Sequence, residues 1–183
     1  MDFLELAKKR CSVRSYMEKQ VEQEKIEKIL EAGRVAPTAA NKQPQKILVI
    51  QSEEGMEKLG KACNNYGAPL FFVVCSDHTL SWKRPFDDMD ADDIDASIVT
   101  THMMLQATEL DLDSIWICYF NPDALRAEFA IPKDFIPINL LGVGYASRAL
   151  KSSDRHLTQR KPLSETVFYE TFEVADEPPK ESQ

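Results

Sequence analysis

The sequence predicts an α+β domain with a central sheet. Helical patterns alternate with about four short apolar runs, and the run over residues 70–75 is continuous, as expected for a central strand covered on both faces. No internal repeat and no domain boundary is recognisable in the 183 residues, a length typical of one domain. We therefore expect a single domain over residues 1–169 and an acidic tail over residues 170–183, either disordered or packed on a partner.

Five helices are predicted from capping residues and from apolar side chains at the helical period. Asp2 can cap the first helix, which has basic residues near its end. Residues 22–35 carry Ile and Leu at the 3.6-residue period, and Pro37 stops that helix. Ser52 begins a third helix. The remaining helices are predicted over residues 94–110 and 122–129.

Four strands are predicted from short apolar runs, over residues 46–50, 70–75, 114–120 and 138–145. The stretch 77–93 is acidic and aromatic without clear periodicity. We interpret the acidic run 87–95 as a solvated loop whose charge favours the following helix N-terminus, because it lacks the Gly and Glu of a calcium-binding EF-hand.

The charge balance excludes general binding to nucleic acid or to anionic membranes. The chain carries 22 basic and 30 acidic residues, a net charge of −8, so a phosphate site must be a local basic pocket. The apolar stretches are too short to cross a bilayer, and the N-terminus is acidic and unlike a signal peptide. We expect a cytoplasmic protein.

The cysteines and histidines indicate neither a disulfide framework nor a metal site. The four cysteines are scattered, so we expect reduced thiols, with Cys75 and Cys118 as small core residues. The three histidines lack metal-ligand spacing, and His102 fits a hydrogen-bonded core position. Gly142 and Gly144 resemble the start of a dinucleotide fingerprint but lack its third glycine, which favours close backbone packing instead. The absence of a nucleophile elbow and a Walker loop favours a cofactor enzyme.

Two segments carry the clearest functional pattern. Arg10, Ser12 and Arg14 place a hydroxyl between two guanidinium groups, which match phosphate geometry. Alone, such a basic pair is typical of a solvated helix face. After a helix, residues 36–44 form a Pro-rich turn of small residues that carries the amides of Asn41 and Gln43.

In this order the two segments resemble the FMN-dependent nitroreductase family, whose motif is R-x-S-x-R followed by A-P-[ST]-[AG]-x-N-x-Q-P. The likeness covers residues 3–169, with further anchors at residues 68–69, 95–97, 115–117, 141–145 and 160–163. It implies the nitroreductase-like fold, a central, mostly antiparallel sheet flanked by helices in an intertwined homodimer. Each of the two FMN sites would lie at the interface and use residues of both subunits.

The resemblance also implies roles for individual residues. Arg10 and Arg160, with Lys161, would bind the phosphate, and Ser12 would lie near the phosphate and ribityl chain. Arg14 would approach the N1 and C2-oxygen edge of the flavin, where a cation stabilises the reduced form. A loop reaching the flavin from the second subunit would be formed by Pro37, Thr38, Ala39 and Asn41, with Gln43 fixing the loop or its ligand. Backbone donors near flavin N5 would come from Ile117 and Cys118.

The implied activity is hydride transfer from NADH or NADPH, through flavin N5, to a nitroaromatic, quinone or similar acceptor by a ping-pong mechanism, with no catalytic side chain. Two alternatives stay open: a reductive dehalogenase or flavin-modifying enzyme of the same fold, and a non-catalytic flavin-binding or redox-sensing protein. Residues 82–86 fit either a lid over the flavin or a surface loop. The sequence departs from the family pattern at Gln45, Cys118, Tyr119 and Ala146.

Overall fold

The computed structural model describes residues 2–172, in two compact units. The first ends at Lys151 and contains all four strands; the second begins at Ser152 and is described to Phe172. The boundary therefore falls earlier than residue 169, and a single domain over residues 1–169 stays a prediction. Most of the predicted acidic tail, residues 173–183, lies outside the described residues. None of the described helices is both long and apolar enough to cross a membrane.

The first unit contains every predicted helix and strand. Its helices are α1 (Phe3–Lys9), α2 (Gln23–Arg34), α3 (Glu53–Gly60), α4 (Asp92–Glu109) and α5 (Pro122–Phe129), and its strands are β1 (Gln45–Ile50), β2 (Leu70–Asp77), β3 (Asp113–Ile117) and β4 (Phe135–Gly144). Asp2 and Ser52 cap α1 and α3 with their side chains, as predicted. The largest difference is at β3, which ends at Ile117, so residues 118–120 lie outside the sheet. The second unit has a one-turn helix, α6 (Arg155–Thr158), that the sequence did not indicate.

The four strands form one antiparallel sheet in the order β1-β2-β4-β3, which confirms the predicted central, antiparallel sheet. β2 and β4 are the interior strands, and β2 is buried from Leu70 to Ser76. Its continuous apolar sequence is explained by that position, since both faces are covered. The β2–β4 register shifts between Val74 and Cys75, opposite the part of β4 that contains Pro137, which cannot donate a ladder hydrogen bond.

Two apolar cores lie on opposite faces of the sheet. The side chains of β2 alternate between them, with Phe71 and Val73 on one face and Phe72 and Val74 on the other. Leu59 of α3 and Leu125 of α5 pack in the first core. The second core is formed with α2 and α4 through Ile26, Ile29, Val99 and Met103. This arrangement leaves α2 and α4 together on one side of the sheet.

The interpretation of residues 87–95 as a solvated loop is wrong for Asp92 and Asp95, which are buried. The run crosses the start of α4, and its helical part packs over the sheet. Ser76 donates a hydrogen bond to Asp92, and His78 Nδ1 lies 2.7 Å from Asp92 Oδ2. His78, Asp90 and Asp92 each have one potential ligand atom within 4.8 Å of the others, so the absence of a metal site stays a prediction.

Gly142 and Gly144 allow close packing at the end of β4, as the sequence analysis favoured. A Cβ atom at Gly142 would lie 2.7 Å from Phe71 Cζ, and one at Gly144 would lie 2.6 Å from Pro69 Cδ. Both distances are shorter than a Cβ atom tolerates. The glycines therefore set how closely β4 approaches the aromatic core and the chain entering β2.

Gly142→Ala should lower the free energy of unfolding by about 1–3 kcal/mol, because the added methyl group overpacks the core against Phe71. Urea denaturation followed by circular dichroism measures this change. Gly60→Ala is the matched control: no atom lies within 4 Å of its added Cβ atom, so it should be neutral or stabilising by up to about 1 kcal/mol. Equal unfolding midpoints for the two variants would contradict the packing role of Gly142.

Candidate functional site

The segment containing Arg10, Ser12 and Arg14 is extended and follows α1. Cys11 and Val13 are buried, whereas Ser12 and Arg14 are exposed, so the side chains alternate with a period of two. Ser12 forms a parallel bridge with Ser114 of β3, and the Val13 N–H donates to the Ser114 carbonyl at 3.0 Å. Arg10 Nη1 also donates to Ser12 Oγ at 3.4 Å. The three polar residues thus share a face through extended backbone rather than through a helix.

The far end of this segment is held by the chain that follows β4. The Met17 N–H donates to the Tyr145 carbonyl at 2.8 Å, and the Ser147 N–H donates to the Ser15 carbonyl at 3.0 Å. The hydroxyl oxygens of Ser15 and Ser147 lie 2.6 Å apart. Burial raises the pKa of Tyr16, whose hydroxyl donates to the Val13 carbonyl. These contacts bring residues 148–151 alongside the arginine segment.

A basic cavity lies between these two stretches. Its volume is about 240 Å³, and it is lined by residues 11–15 and 148–151. Arg14, Arg148 and Lys151 provide cations, and Ser12 and Ser15 provide hydroxyl groups. The chain as a whole has a net charge of −8, so this cavity is a local basic pocket of the kind that a phosphate site requires. Arg148 and Lys151 were not predicted as site residues, because their position beside residues 11–15 depends on the order of the strands in the sheet.

Arg14 connects this cavity to a second one. Its guanidinium carbon lies 6.0 Å from the centre of the Tyr66 ring, within range of a cation–π contact. Tyr66 has a positive φ of 53°, and its N–H donates to Asn64 Oδ1 at 2.9 Å. The second cavity has a volume of about 520 Å³, and its lining includes Tyr66, Ile117, Tyr119 and Phe120. Tyr66 was not predicted from the sequence as a site residue.

Ile117 lines the second cavity where β3 ends, and Cys118 follows it in the chain. Ile117 is buried, but Cys118 is exposed, so the expectation that Cys118 is a core residue is wrong; Cys75 is buried as expected. The difference arises because the strand ends one residue before Cys118. Trp116 Nε1 donates to Asn139 Oδ1 at 2.9 Å and lies 3.2 Å from Cys118 Sγ, which fixes this strand end.

The Pro37–Gln43 loop contains three residues with left-handed backbone. Ala40, Asn41 and Gln43 have φ values of 49°, 53° and 50°. The Gln43 N–H donates to Thr38 Oγ1 at 3.0 Å, which closes the turn. The Ala39 N–H donates to Oδ1 of the buried Asp95 at 2.9 Å, so the loop is attached to the first turns of α4.

The structure does not bring all the predicted site residues into one cavity. The basic cavity is lined by Ser12 and Arg14 but by no residue of the 37–43 loop. Arg160 and Lys161 belong to the second unit, in which Arg160 Nε lies 3.4 Å from His156 Nδ1 and Lys161 Nζ lies 3.5 Å from a Glu165 carboxylate oxygen. Their role in binding phosphate stays a prediction.

Asp95 is a further residue that was not assigned to the site from the sequence. A sequence pattern could have indicated Asp95. Val99, Met103 and Ala107 recur every four residues and form the buried stripe of α4, and Asp95 occupies the preceding position of the same stripe. An acid on an apolar stripe indicates a specific buried partner, here the Ala39 amide.

Comparison with known proteins gives one consistent result. The nitroreductase family matches residues 7–66 and 64–145 of this chain. The crystal structure of a nitroreductase family protein from Clostridium difficile 630 is 56% identical, with a TM-score of 0.92 over 93% of this chain and 99% of its own. An FMN-dependent nitroreductase from Clostridium difficile R20291 is 26% identical, with a TM-score of 0.74 over 93% of this chain and 100% of its own. An NAD(P)H FMN reductase from Bacillus subtilis is 26% identical over 187 residues, 91% of this chain and 72% of its own.

Cys118 should be the first thiol to react in the native protein, because it is exposed while Cys11 and Cys75 are buried. Burial also raises the pKa of Cys63 and of Cys75 to about 11, which lowers their thiolate fraction. With a chromogenic disulfide reagent at pH 8, we expect a fast phase of one thiol, at least about tenfold faster than the rest. Cys118→Ser should remove this phase and Cys63→Ser should keep it. A fast phase that survives Cys118→Ser would show that the end of β3 is placed differently.

Proposed function

The chain belongs to the nitroreductase family, and on this basis we propose that it is a homodimeric, FMN-dependent oxidoreductase that uses NAD(P)H to reduce small-molecule acceptors. The observation that carries the proposal is the basic cavity on a chain of net charge −8. Ser12 and Arg14, two residues of the family motif, line this cavity. The similar proteins named as an FMN-dependent nitroreductase and as an NAD(P)H FMN reductase support the cofactor and the electron donor.

The donors of the basic cavity fit a flavin phosphate and ribityl chain. Guanidinium and ammonium groups bind phosphate through charge-assisted hydrogen bonds, and Arg148 and Lys151 supply them beside the Ser12 hydroxyl. We assign Arg10 to the same phosphate, whereas the roles of Arg160 and Lys161, which belong to the second unit, stay predictions. Arg14 would hold its cation at the pyrimidine edge of the flavin, since its guanidinium points toward Tyr66 at the neighbouring cavity. A fixed cation there stabilises the negative charge of the reduced flavin.

When bound, FMN would supply the redox chemistry, which is hydride transfer through N5 from NADH or NADPH to a nitroaromatic, quinone or similar acceptor in a ping-pong cycle. The chain binds and orients the reactants and provides no acid or nucleophile. Tyr66, Tyr119 and Phe120 offer aromatic faces to planar molecules in the second cavity. Ile117 lines this cavity, and the backbone at Ile117 and Cys118 would supply the donors near N5. The proposal includes a cytoplasmic location, which suits four free cysteines.

The segment proposed as a lid forms a small hairpin in the structure. Lys83 and Asp90 form an antiparallel bridge, and the Ala91 N–H donates to the Trp82 carbonyl at 3.0 Å. Phe86 lies at the turn and is 94% exposed. An exposed aromatic side chain on a closed hairpin suits a cover over a bound ring, and we retain the lid as part of the proposal.

The surface of α4 supports the homodimer. Val99 and Met103 face the sheet, yet the outer side of the same helix is also apolar, with Ile94 48% exposed. A groove of about 680 Å³ between α1, α2 and α4 adds Phe3 and Val35, which are 70% and 59% exposed. A helix that is apolar on both sides is normally covered on both sides. A second copy of the chain would cover this face, and its 37–43 loop would complete the FMN site across the interface.

Wild-type protein freed of flavin should bind FMN, and anaerobic NADH or NADPH should bleach the visible flavin band of the complex. Arg148→Gln should weaken FMN binding about tenfold, because it removes one charge-assisted hydrogen bond to phosphate. Fluorescence quenching of FMN measures the affinity. Arg34→Gln, which removes a surface arginine paired with Glu31, is the control and should leave the affinity unchanged. Failure of the wild type to bind FMN would refute the proposal.

The wild type should elute as a dimer, with a mass near twice the 20.8 kDa of one chain by light scattering. Ile94→Asp should shift the protein to monomer, because it places a charge on the exposed apolar side of α4. Leu80→Asp changes an exposed apolar residue of a loop in the same way and should remain dimeric. A wild-type monomer that still binds FMN would rule out the shared site.

A further inference from the structure

Asp95 is a buried carboxylate that forms no ion pair within residues 2–172. Its relative exposure is 0%, and it lies on the inner face of α4 in line with Val99 and Met103. Oδ1 accepts the Ala39 N–H at 2.9 Å, while Oδ2 has no hydrogen-bond partner among residues 2–172. Burial raises the pKa of Asp95, and the negative charges of Asp92 and Asp90 raise it further.

This placement is costly for the fold. A buried carboxylate loses its hydration, and a single backbone hydrogen bond replaces only part of it. The neighbouring positions of the stripe are apolar, so an apolar side chain of the same size would suit the core better. An acid at this position therefore indicates that its one hydrogen bond serves a purpose outside the core.

The hydrogen bond of Asp95 holds the turn over residues 38–43 between two flanking anchors: Ala36 and Pro44 are buried, and the Pro44 carbonyl accepts the Asp77 N–H at 2.8 Å. Ala40, Asn41 and Gln43 all adopt left-handed backbone, which non-glycine residues adopt at a cost. Asn41, Lys42 and Gln43 are exposed, so packing does not determine their conformation. Apart from bonds inside the loop, such as the one from the Gln43 N–H to Thr38 Oγ1, the bond from the Ala39 N–H to Asp95 ties the turn to a helix.

We propose that Asp95 is a positioning residue for the cofactor: by accepting the Ala39 N–H, it holds the 38–43 loop in the strained conformation that contacts FMN. The inference rests on the proposed function, in which this loop completes the flavin site. Asp95 itself touches no flavin atom in this role. It acts through Ala39, and the carboxylate oxygen matters as a hydrogen-bond acceptor rather than as a charge.

Two substitutions separate the acceptor from the charge. Asp95→Asn keeps a carbonyl oxygen for the Ala39 N–H and removes the charge, so FMN affinity should stay within about threefold of the wild type. Asp95→Val puts a slightly larger apolar side chain at this position and loses the acceptor, so FMN affinity should fall about tenfold or more. Asp95→Val should unfold at the same or a higher urea concentration than the wild type, because the buried charge is gone. Asp93→Asn, at an exposed position of the same helix turn, is the control.

Hydrogen exchange of the flavin-free protein, followed by mass spectrometry, gives a readout that does not depend on FMN. In the wild type and in Asp95→Asn, the amide of Ala39 should be protected although the loop is exposed; in Asp95→Val, exchange over residues 39–43 should increase while β2 and β4 are unchanged.

Each outcome has one meaning. A fully exchanging Ala39 amide in the wild type overturns the inference even if Asp95→Val does not fold. An FMN affinity equal to that of the wild type in a folded Asp95→Val variant also overturns the inference. So does an equal loss of FMN affinity in Asp95→Asn and Asp95→Val, because Asp95→Asn keeps the acceptor. A wild type that binds no FMN refutes the proposed function instead, and the exchange data still decide whether Asp95 holds the loop.

Discussion

The pairing of β4 with both β2 and β3 is the constraint on which the candidate site depends. Because β4 is interior, its C-terminal end lies beside β3, and the chain that leaves it runs along the residues after α1. The backbone hydrogen bonds of Val13 to Ser114 and of Met17 to Tyr145 then hold the arginine segment at this edge. Gly142 and Gly144 allow the close approach that this pairing needs. The basic cavity is a consequence of strand order as much as of its own residues.

The elements of the first unit could be predicted from the sequence because each has a local cause. Asp2 and Ser52 are capping residues, Pro37 stops α2, and β2 is apolar from Leu70 to Cys75, where both faces of the sheet are covered. The ends of the elements were harder to predict than their existence. For example, β3 ends at Ile117, although the sequence stays apolar beyond this residue. The boundary between the two compact units at Lys151 was not predicted from any local sequence pattern.

The site was predictable only in part, because its residues come together through tertiary contacts. Arg10, Ser12 and Arg14 were found from the family motif, but the reason that they share a face is extended backbone, which the helical interpretation of such a pair does not include. Arg148 and Tyr66 reach the cavities through strand order and through an unusual turn, and neither follows from local patterns. Asp92 and Asp95 read as part of a solvated acidic run because burial depends on which helix face meets the sheet.

In the proposed function, helix α4 links two equilibria, FMN binding and dimer formation. Its inner face and first turns hold the sheet and, through Asp95, the loop assigned to FMN; its outer face is the surface assigned to a second copy of the chain. In the proposed function, a change that stabilises this helix would favour both FMN binding and dimer formation. By thermodynamic reciprocity, FMN binding would then strengthen dimer formation by the same factor by which dimer formation strengthens FMN binding. Flavin occupancy would then depend on the total concentration of the protein, and dilution alone would empty the site.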